Sequence, residues 1–282
     1  MYGKVVLITG ANRGIGRETA RALAEDGAAV VMACRDLAKA IPVCEALKKG
    51  SSNPQIEVMH LDLACLDSIH MLASDFARNY DRLDVLLNNA GTFTMRRQET
   101  HDGFEMTMGV NYLGPFLLTH LLLPLLKQTP QARIVNVSSD AHYQGRIDLS
   151  DLQLARRYRG FQAYANSKLA IVLFTLDLAN RLLGTGVSVN ALHPGHVGTG
   201  MWSIWPADKW YQKLLARIVS RFTVSAEEGA QTSIFLARSP QVEGISGKYF
   251  DKMQTKDPSP ICNDAELRRG VWQAAEALTG SC

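Results

Sequence analysis

The sequence has no excess of charge of either sign. In 282 residues, 30 lysines and arginines stand against 27 aspartates and glutamates, a formal +3. The basic residues are scattered among acidic ones rather than gathered in a stripe, which argues against nucleic acid as a partner. Cysteine is scarce: Cys34, Cys44, Cys65, Cys262 and Cys282 are odd in number and far apart, with no C-x-x-C spacing. Zinc and a redox pair are therefore poor first readings, no metal site is expected, and reduced thiols in a cytoplasmic setting are. Long apolar runs are lacking too. The opening "MYGKVVLITG" reaches glycine too soon for a signal peptide or a spanning helix. "LGPFLLTHLLLPLL", residues 113 to 126, carries two prolines and a histidine and is expected to be too short to cross a bilayer. Repeats, low-complexity stretches and a convincing linker are also missing. What remains, 46% hydrophobic and 20% charged residues, is material for one large core.

Short β-branched runs alternate with longer stretches of helical periodicity. Strands are predicted at 5–9, 29–33, 56–61, 84–89, 133–138, 187–192 and 247–250. Seven nearly continuous apolar strands separated by helices predict a single α/β domain over residues 1–282. It would hold a doubly wound, mostly or fully parallel Rossmann-type sheet covered on both faces. In such sheets ligands bind beyond the carboxyl ends of the strands. Six of those ends are polar or glycine-rich: "TGANRGIG", "CRD", "LDLA", "NNAG", "SSDAH" and "HPGHVGT".

"TGANRGIG" places Gly10, Gly14 and Gly16 between a strand and a helix expected to start near Ile15. Glycine admits a pyrophosphate close to the backbone, and the helix N-terminus favours its charge. The spacing departs from G-x-G-x-x-G, so a glycine-rich packing turn is the competing reading. Past the second strand come Cys34, Arg35 and Asp36. An acidic residue there would bind the ribose hydroxyls of NAD, and an arginine the 2′-phosphate of NADP. Arg35, with Arg13 from the glycine loop, offers two guanidinium forks for a phosphate. Asp36 is read as the cap of the next helix. NADP(H) is thus expected in preference to NAD(H).

In "YANSK", Tyr164 and Lys168 are one helical turn apart and share a face. A phenol ordinarily titrates near 10 and shuttles protons poorly at neutral pH. An ammonium about 4 Å away would stabilise its anion by roughly 4 kcal/mol at an effective dielectric of about 20. The alternative is an ordinary solvated helix pair. Ser139 could hydrogen-bond a carbonyl in the crevice or simply cap a turn, and Asn111 in "GVNYLG" is either a site residue or a satisfied buried amide.

Taken in order, "TGANRGIG", "LDL", "NNAG", "GVNYLG", "VSS", "YANSK" and "HPGHVGT" resemble the short-chain dehydrogenase/reductase family from end to end. "ACRD", "DGFEMTMGVNYLGPFLLTHLLLPLL", "RIVNVSSDAH" and "EEGAQTSIF" are most similar to its retinol dehydrogenase group. The resemblance implies Tyr164 as general acid/base, Lys168 as its charge partner and ribose ligand, Ser139 rather than Ser138 as the group orienting substrate oxygen, and Asn111 as support for a proton-relay water. It implies pyrophosphate at Gly10, Gly14 and Gly16 with Asn12, Arg13 and Ile15 around them, and adenine at Asp62 and Leu63. The riboses would lie at Asn89 and Gly91 with Ala90 between, and the nicotinamide at Thr199, with Pro194, Gly195 and Val197 completing the cofactor site. Hydride transfer between NADP(H) and a carbonyl or alcohol follows.

The 25 positions from Ser139 to Tyr164 leave room for an extra loop, about 142–162, as in the retinol dehydrogenase group; His142 within it reads as a surface residue. "GMWSIWPADKWYQKLLARIVSRF", 200–222, suggests a lid of about 197–225 over an apolar, retinoid-like substrate. It also suits peripheral membrane contact, or a core or oligomer contact. Other substrate classes of the same fold are steroids, quinones, xenobiotic carbonyls and a protochlorophyllide-like double bond. A non-enzymatic NADP(H)-sensing protein is the alternative of another class. A homodimer or homotetramer is consistent with the resemblance.

Overall fold

The computed structural model describes residues 1–195 and 225–281. The sequence-predicted strands are present as β1 (Val5–Thr9), β2 (Ala29–Cys34), β3 (Ile56–His60), β4 (Val85–Asn88), β5 (Arg133–Val137), β6 (Ser188–His193) and β7 (Lys248–Asp251). Every side chain of β1, β4 and β6 is buried, as expected of parallel strands covered on both faces. An eighth strand, β8 (Gln254–Lys256), runs antiparallel to β7, so the sheet has one strand more than predicted. The order is β3-β2-β1-β4-β5-β6-β7-β8, parallel up to β7. The sequence missed β8 because the turn Lys252-Met253 holds two non-glycine residues at φ 48° and 63°. The two-residue hairpin is built without the Asn-Gly that usually announces it.

Helices α1 (Gly14–Glu25), α2 (Leu37–Ser51) and α7 (Ala226–Arg238) cover one face, where Leu23, Leu47 and Leu236 join Val6, Ile8 and Val30. The other face carries α3 (Leu66–Asn79), α5 (Gly114–Gln128), α6 (Gly160–Arg181) and the C-terminal α8 (Ala265–Thr279). Phe76, Phe116, Phe174 and Trp272 are central to that larger core. Asp36 caps α2 by accepting from Lys39 N–H, as read from the sequence.

A short α4 (Met106–Met108) leads through a π-helical turn, Gly109–Leu113, into α5 without a break. The apolar run seen in the sequence is therefore part of a 23-residue helical stretch, Met106–Gln128, long and apolar enough by length and composition to cross a membrane. This corrects the expectation drawn from residues 113–126 alone. Here most of the stretch is buried inside the protein, packed as a core helix through Leu117, Leu118, Leu122 and Leu126. Among the described residues, Cys34, Cys44, Cys65 and Cys262 are free thiols, and no group of three or more His, Cys, Asp or Glu side chains could hold a metal.

Candidate active site

The chain reverses its winding between β1 and its two neighbours, β2 and β4, and the glycine loop leaves β1 at that point. Gly10 and Gly14 sit at φ +68° and +55°, which side chains tolerate poorly. Gly16 begins the close contact of α1 with the strand ends: a Cβ there would lie 2.5 Å from Asn89 Nδ2 and 2.6 Å from Gly10 O. Thr9, passed over in the sequence, fastens β1 to β4, since its hydroxyl accepts from the N–H groups of Asn89 and Ala90, both at 2.9 Å. Asn89 donates through its amide to Thr9 O (2.8 Å) and thus holds the loop. Asn12 and Ile15 line the loop half-buried, and α1 begins at Gly14, one residue ahead of expectation.

Arg13 and Arg35 are exposed and make no ion pair among the described residues. Asp36 is engaged by Lys39, with an ion pair of 2.6 Å besides the cap. Asp62 accepts from Ala64 N–H (2.9 Å), and Leu63 is buried with its carbonyl 2.8 Å from where a Cβ on Gly114 would stand. Pro194 and Gly195 follow β6, with Gly195 at φ 84°. Val197, Thr199, the lid about 197–225 and the segment 200–222 lie outside the described residues, apart from Ser225, which caps α7.

The carboxyl end of β5, the helical turn ahead of α5 and the first turns of α6 bring the four expected catalytic residues together. Asn111 lies in the π-helical turn, a distortion that in helices often marks a functional position. Its Oδ1 accepts from Thr92 N–H (2.7 Å), and its Nδ2 donates to Thr92 O (3.0 Å) and Ser167 Oγ (2.9 Å). Ser167, another residue the sequence reading missed, donates in turn to Tyr164 O (2.8 Å). Asn111 is thus a satisfied buried amide, with its Oδ1 close to Gly91. A Cβ at Gly91 would lie 3.5 Å from both that Oδ1 and Lys168 Nζ. The bare glycine leaves the space between the amide and the ammonium open.

Ser139 is half-buried and caps the 3-10 turn Asp140–Gln144, its Oγ accepting from Ala141 N–H (3.2 Å). The same side chain opposes the rise of the Tyr164 phenol's pKa. Ser138 is buried with its hydroxyl donating to Lys168 O (2.8 Å), which leaves it a structural task.

Lys168 is buried, donates to Val137 O (2.9 Å) and lies 5.7 Å from the centre of the Tyr164 ring. Burial lowers its pKa to about 8. The same burial pushes the Tyr164 phenol above its ordinary value, with Ser139 opposing. This corrects the expectation that Lys168 would bring the phenol toward neutrality: in the protein itself desolvation of both groups dominates. His142 is a second correction, being fully buried rather than at the surface. The inserted loop ends earlier than expected, since α6 already begins at Gly160. That glycine allows the close approach of residues 94–95, for a Cβ there would sit 2.4 Å from Thr94 O. Phe93 meets the Tyr164 ring edge-on at 5.8 Å, and Met95 and Phe161 are about half exposed nearby in the chain.

A glycine cradle at the switch point of a parallel sheet, with Ser, Tyr, Lys and Asn gathered at the neighbouring strand ends, defines a dinucleotide-type oxidoreductase site. The family model "short chain dehydrogenase" matches residues 4–210, and the chain belongs to that family. It is 43% identical to human "Retinol dehydrogenase 13", with 99% of this chain and 85% of that protein covered. It is 46% identical to human "Retinol dehydrogenase 12", with 99% and 87% covered. A solved short chain dehydrogenase from Escherichia coli CFT073, complexed with NADPH, superposes with a TM-score of 0.72 at 27% identity, covering 90% of this chain and 98% of that one. Within the family the chain falls with the retinol dehydrogenase group, and it is an oxidoreductase of alcohols and carbonyls.

Proposed function

We propose that this chain, folded as one domain, is an NADP(H)-dependent oxidoreductase that reduces a carbonyl, or oxidises the corresponding alcohol, on a bulky apolar, retinoid-like substrate. The observation that carries this reading is the buried Lys168 ammonium, 5.7 Å from the Tyr164 ring, set beside the open floor at Gly91, which Asn111 and Lys168 both face. The protein's own groups fit the cofactor. Gly10, Gly14 and Gly16 form a backbone cradle that side chains would fill, and Arg13 and Arg35, exposed and without an ion pair among the described residues, offer guanidiniums to a 2′-phosphate. The NADPH complex of the Escherichia coli relative is consistent with this choice. When bound, NADPH supplies the hydride.

The residues of this chain do the rest. Ser139 orients the substrate oxygen toward the phenol, and Tyr164 Oη donates the proton to that oxygen or accepts it in the reverse direction. Lys168, charged below about pH 8, stabilises negative charge as it forms on the phenol and would hold the cofactor's ribose. Asn111, locked to Thr92 and Ser167, would offer its Oδ1 to a relay water. Proton transfer of this kind contributes about 10² to 10⁴ in rate. The Phe93 ring against Tyr164, with the exposed Met95 and Phe161 close to them in the chain, supports an apolar substrate.

The test follows consumption of NADPH with retinal, a medium-chain aldehyde, a quinone and a steroid ketone, for the wild type and Tyr164→Phe. Turnover abolished with NADPH still bound is the expected result, with retinal ranking first; undiminished turnover in Tyr164→Phe would overturn the mechanism. Arg13→Ala combined with Arg35→Ala is expected to weaken NADPH roughly 100-fold, since two charge-assisted contacts are lost, while changing NADH little. Equal losses for both cofactors would remove the 2′-phosphate assignment.

A further inference from the structure

We propose that His142 is a positioning residue that sets the seat of Ser139, linking it to the C-terminal segment at Ser259. This rests on the reading of Ser139 as the group that orients substrate. Ser139 C=O receives two hydrogen bonds from His142, one from the backbone N–H (3.0 Å) and one at Nδ1 (2.8 Å). A carbonyl can only accept, so Nδ1 carries the proton. On the far side of the ring, Ser259 N–H points at Nε2 (3.1 Å), and an amide can only donate. Both ends therefore demand the same neutral tautomer, and burial favours the neutral form.

The plane of the ring is fixed as well. Tyr143 and Tyr249 pack on it with centroids at 4.0 and 4.7 Å, and Tyr143 Oη donates to Asp257 O (2.5 Å), two residues before Ser259. Asp140, the first residue of the turn, is clamped in the same way. It pairs with His193 at the end of β6 (3.1 Å) and accepts from Tyr249 Oη (3.3 Å). By contrast, the bond that Ser139 Oγ itself makes with the turn is long, 3.2 Å to Ala141 N. The direction of the hydroxyl thus depends on how the turn Asp140–Gln144 is closed, and His142 closes it.

The variants are His142→Phe, which keeps a ring between the two tyrosines and loses both polar ends, and His142→Asn, whose amide can still donate where Nδ1 does. Each is assayed with NADPH and retinal, alongside NADPH affinity and thermal midpoint. His142→Phe is expected to lower kcat roughly tenfold with NADPH affinity unchanged, because misplacement near the reacting atoms costs rate rather than distant binding. His142→Asn is expected to recover most of that loss. An unchanged kcat in His142→Phe overturns the proposal. So does a loss that falls equally on kcat and NADPH affinity, or one that His142→Asn does not recover.

Should His142→Phe fail to fold, Ser259→Pro removes the N–H that meets Nε2, exchanging the serine side chain for a ring at a residue whose φ of −50° proline accepts. Ser259→Ala, which keeps that N–H, is the control for the lost hydroxyl. A severalfold fall in kcat at constant NADPH affinity is then expected of Ser259→Pro alone, and no fall overturns the proposal. Tyr164→Phe separates the two readings. If it retains turnover, the mechanism fails; if it is inactive while the His142 and Ser259 variants are unaffected, only the role of His142 fails.

Discussion

Lys168 is a residue whose charge works against its surroundings. Its ammonium is buried, with the Val137 carbonyl as its hydrogen-bond partner, and its pKa falls from 10.5 to about 8. Below pH 8 the lysine is protonated whether the chain is folded or not. Between 8 and 10.5 only the unfolded chain binds the proton, so folding gains stability as pH rises through that window. The difference corresponds to about 3 kcal/mol. Lys168→Met cannot titrate and has no such gain. Urea unfolding at pH 7 and pH 10 should therefore show the stability difference between Lys168→Met and wild type moving by about 2 to 3 kcal/mol in favour of wild type at the higher pH. A difference that stays constant across those two pH values would show that the lysine is not desolvated as described. The tyrosine offers the complementary lesson: helical spacing revealed that Tyr164 and Lys168 share a face, but spacing carries no information on burial, and burial sets the direction of both pKa values.

Among the elements, the β7–β8 hairpin shows where pattern reading loses its grip. Lys252 and Met253 both occupy the left-handed region, at a cost of about 1 kcal/mol or more for each non-glycine residue, and both are exposed. Replacing them by Asn-Gly supplies the residues such a two-residue turn favours. Thermal unfolding of Lys252→Asn/Met253→Gly should shift upward by a few degrees, about 1 kcal/mol for a chain of this size. A lowered midpoint would mean that the native turn is held by contacts the backbone angles do not reveal. The parallel strands were legible because each is a short apolar run and each is followed by helical periodicity. β8, "QTK", is exposed along its whole length and has no such run. The π-helical turn at Asn111 was equally silent, since an inserted residue in a helix leaves the apolar pattern of "GVNYLG" nearly intact. The glycine loop and the Ser-Tyr-Lys-Asn set, which the fold brings to neighbouring strand ends, were legible because the chemistry proposed for them requires particular residue types. Thr9, Ser167 and His142 were not, because their work is to meet groups distant in sequence, Asn89 and Ala90, Asn111, and Ser259 in turn, that come together only in the folded chain.

Across the molecule as a whole, the C-terminal segment supports the site from behind. Ser259 meets His142, and α8 lies against the helix that carries Asn111, where the Tyr112 hydroxyl donates to Val271 O (3.1 Å). Trp272, the next residue, is the anchor. Its ring meets Phe116, His120 and Phe174 at centroid distances of 5.0, 5.1 and 5.7 Å, the Arg181 guanidinium lies 3.9 Å above it, and its indole N–H donates to Glu276. The sequence marked 265–279 as neither a strand nor a motif, so this support could be found only by folding the chain. Trp272→Ala removes a buried aromatic side chain and leaves a cavity between α5, α6 and α8, at a cost of about 3 to 5 kcal/mol. For a protein of this length that lowers the thermal midpoint by about 10 °C. Because Val271 holds Tyr112 beside Asn111, detachment of α8 should also disturb the active site before the sheet unfolds. On heating Trp272→Ala, turnover of NADPH with retinal is expected to disappear several degrees below the loss of far-ultraviolet circular dichroism, whereas in the wild type the two transitions coincide. Coincident transitions in the variant as well would mean that α8 stabilises the core without supporting the site.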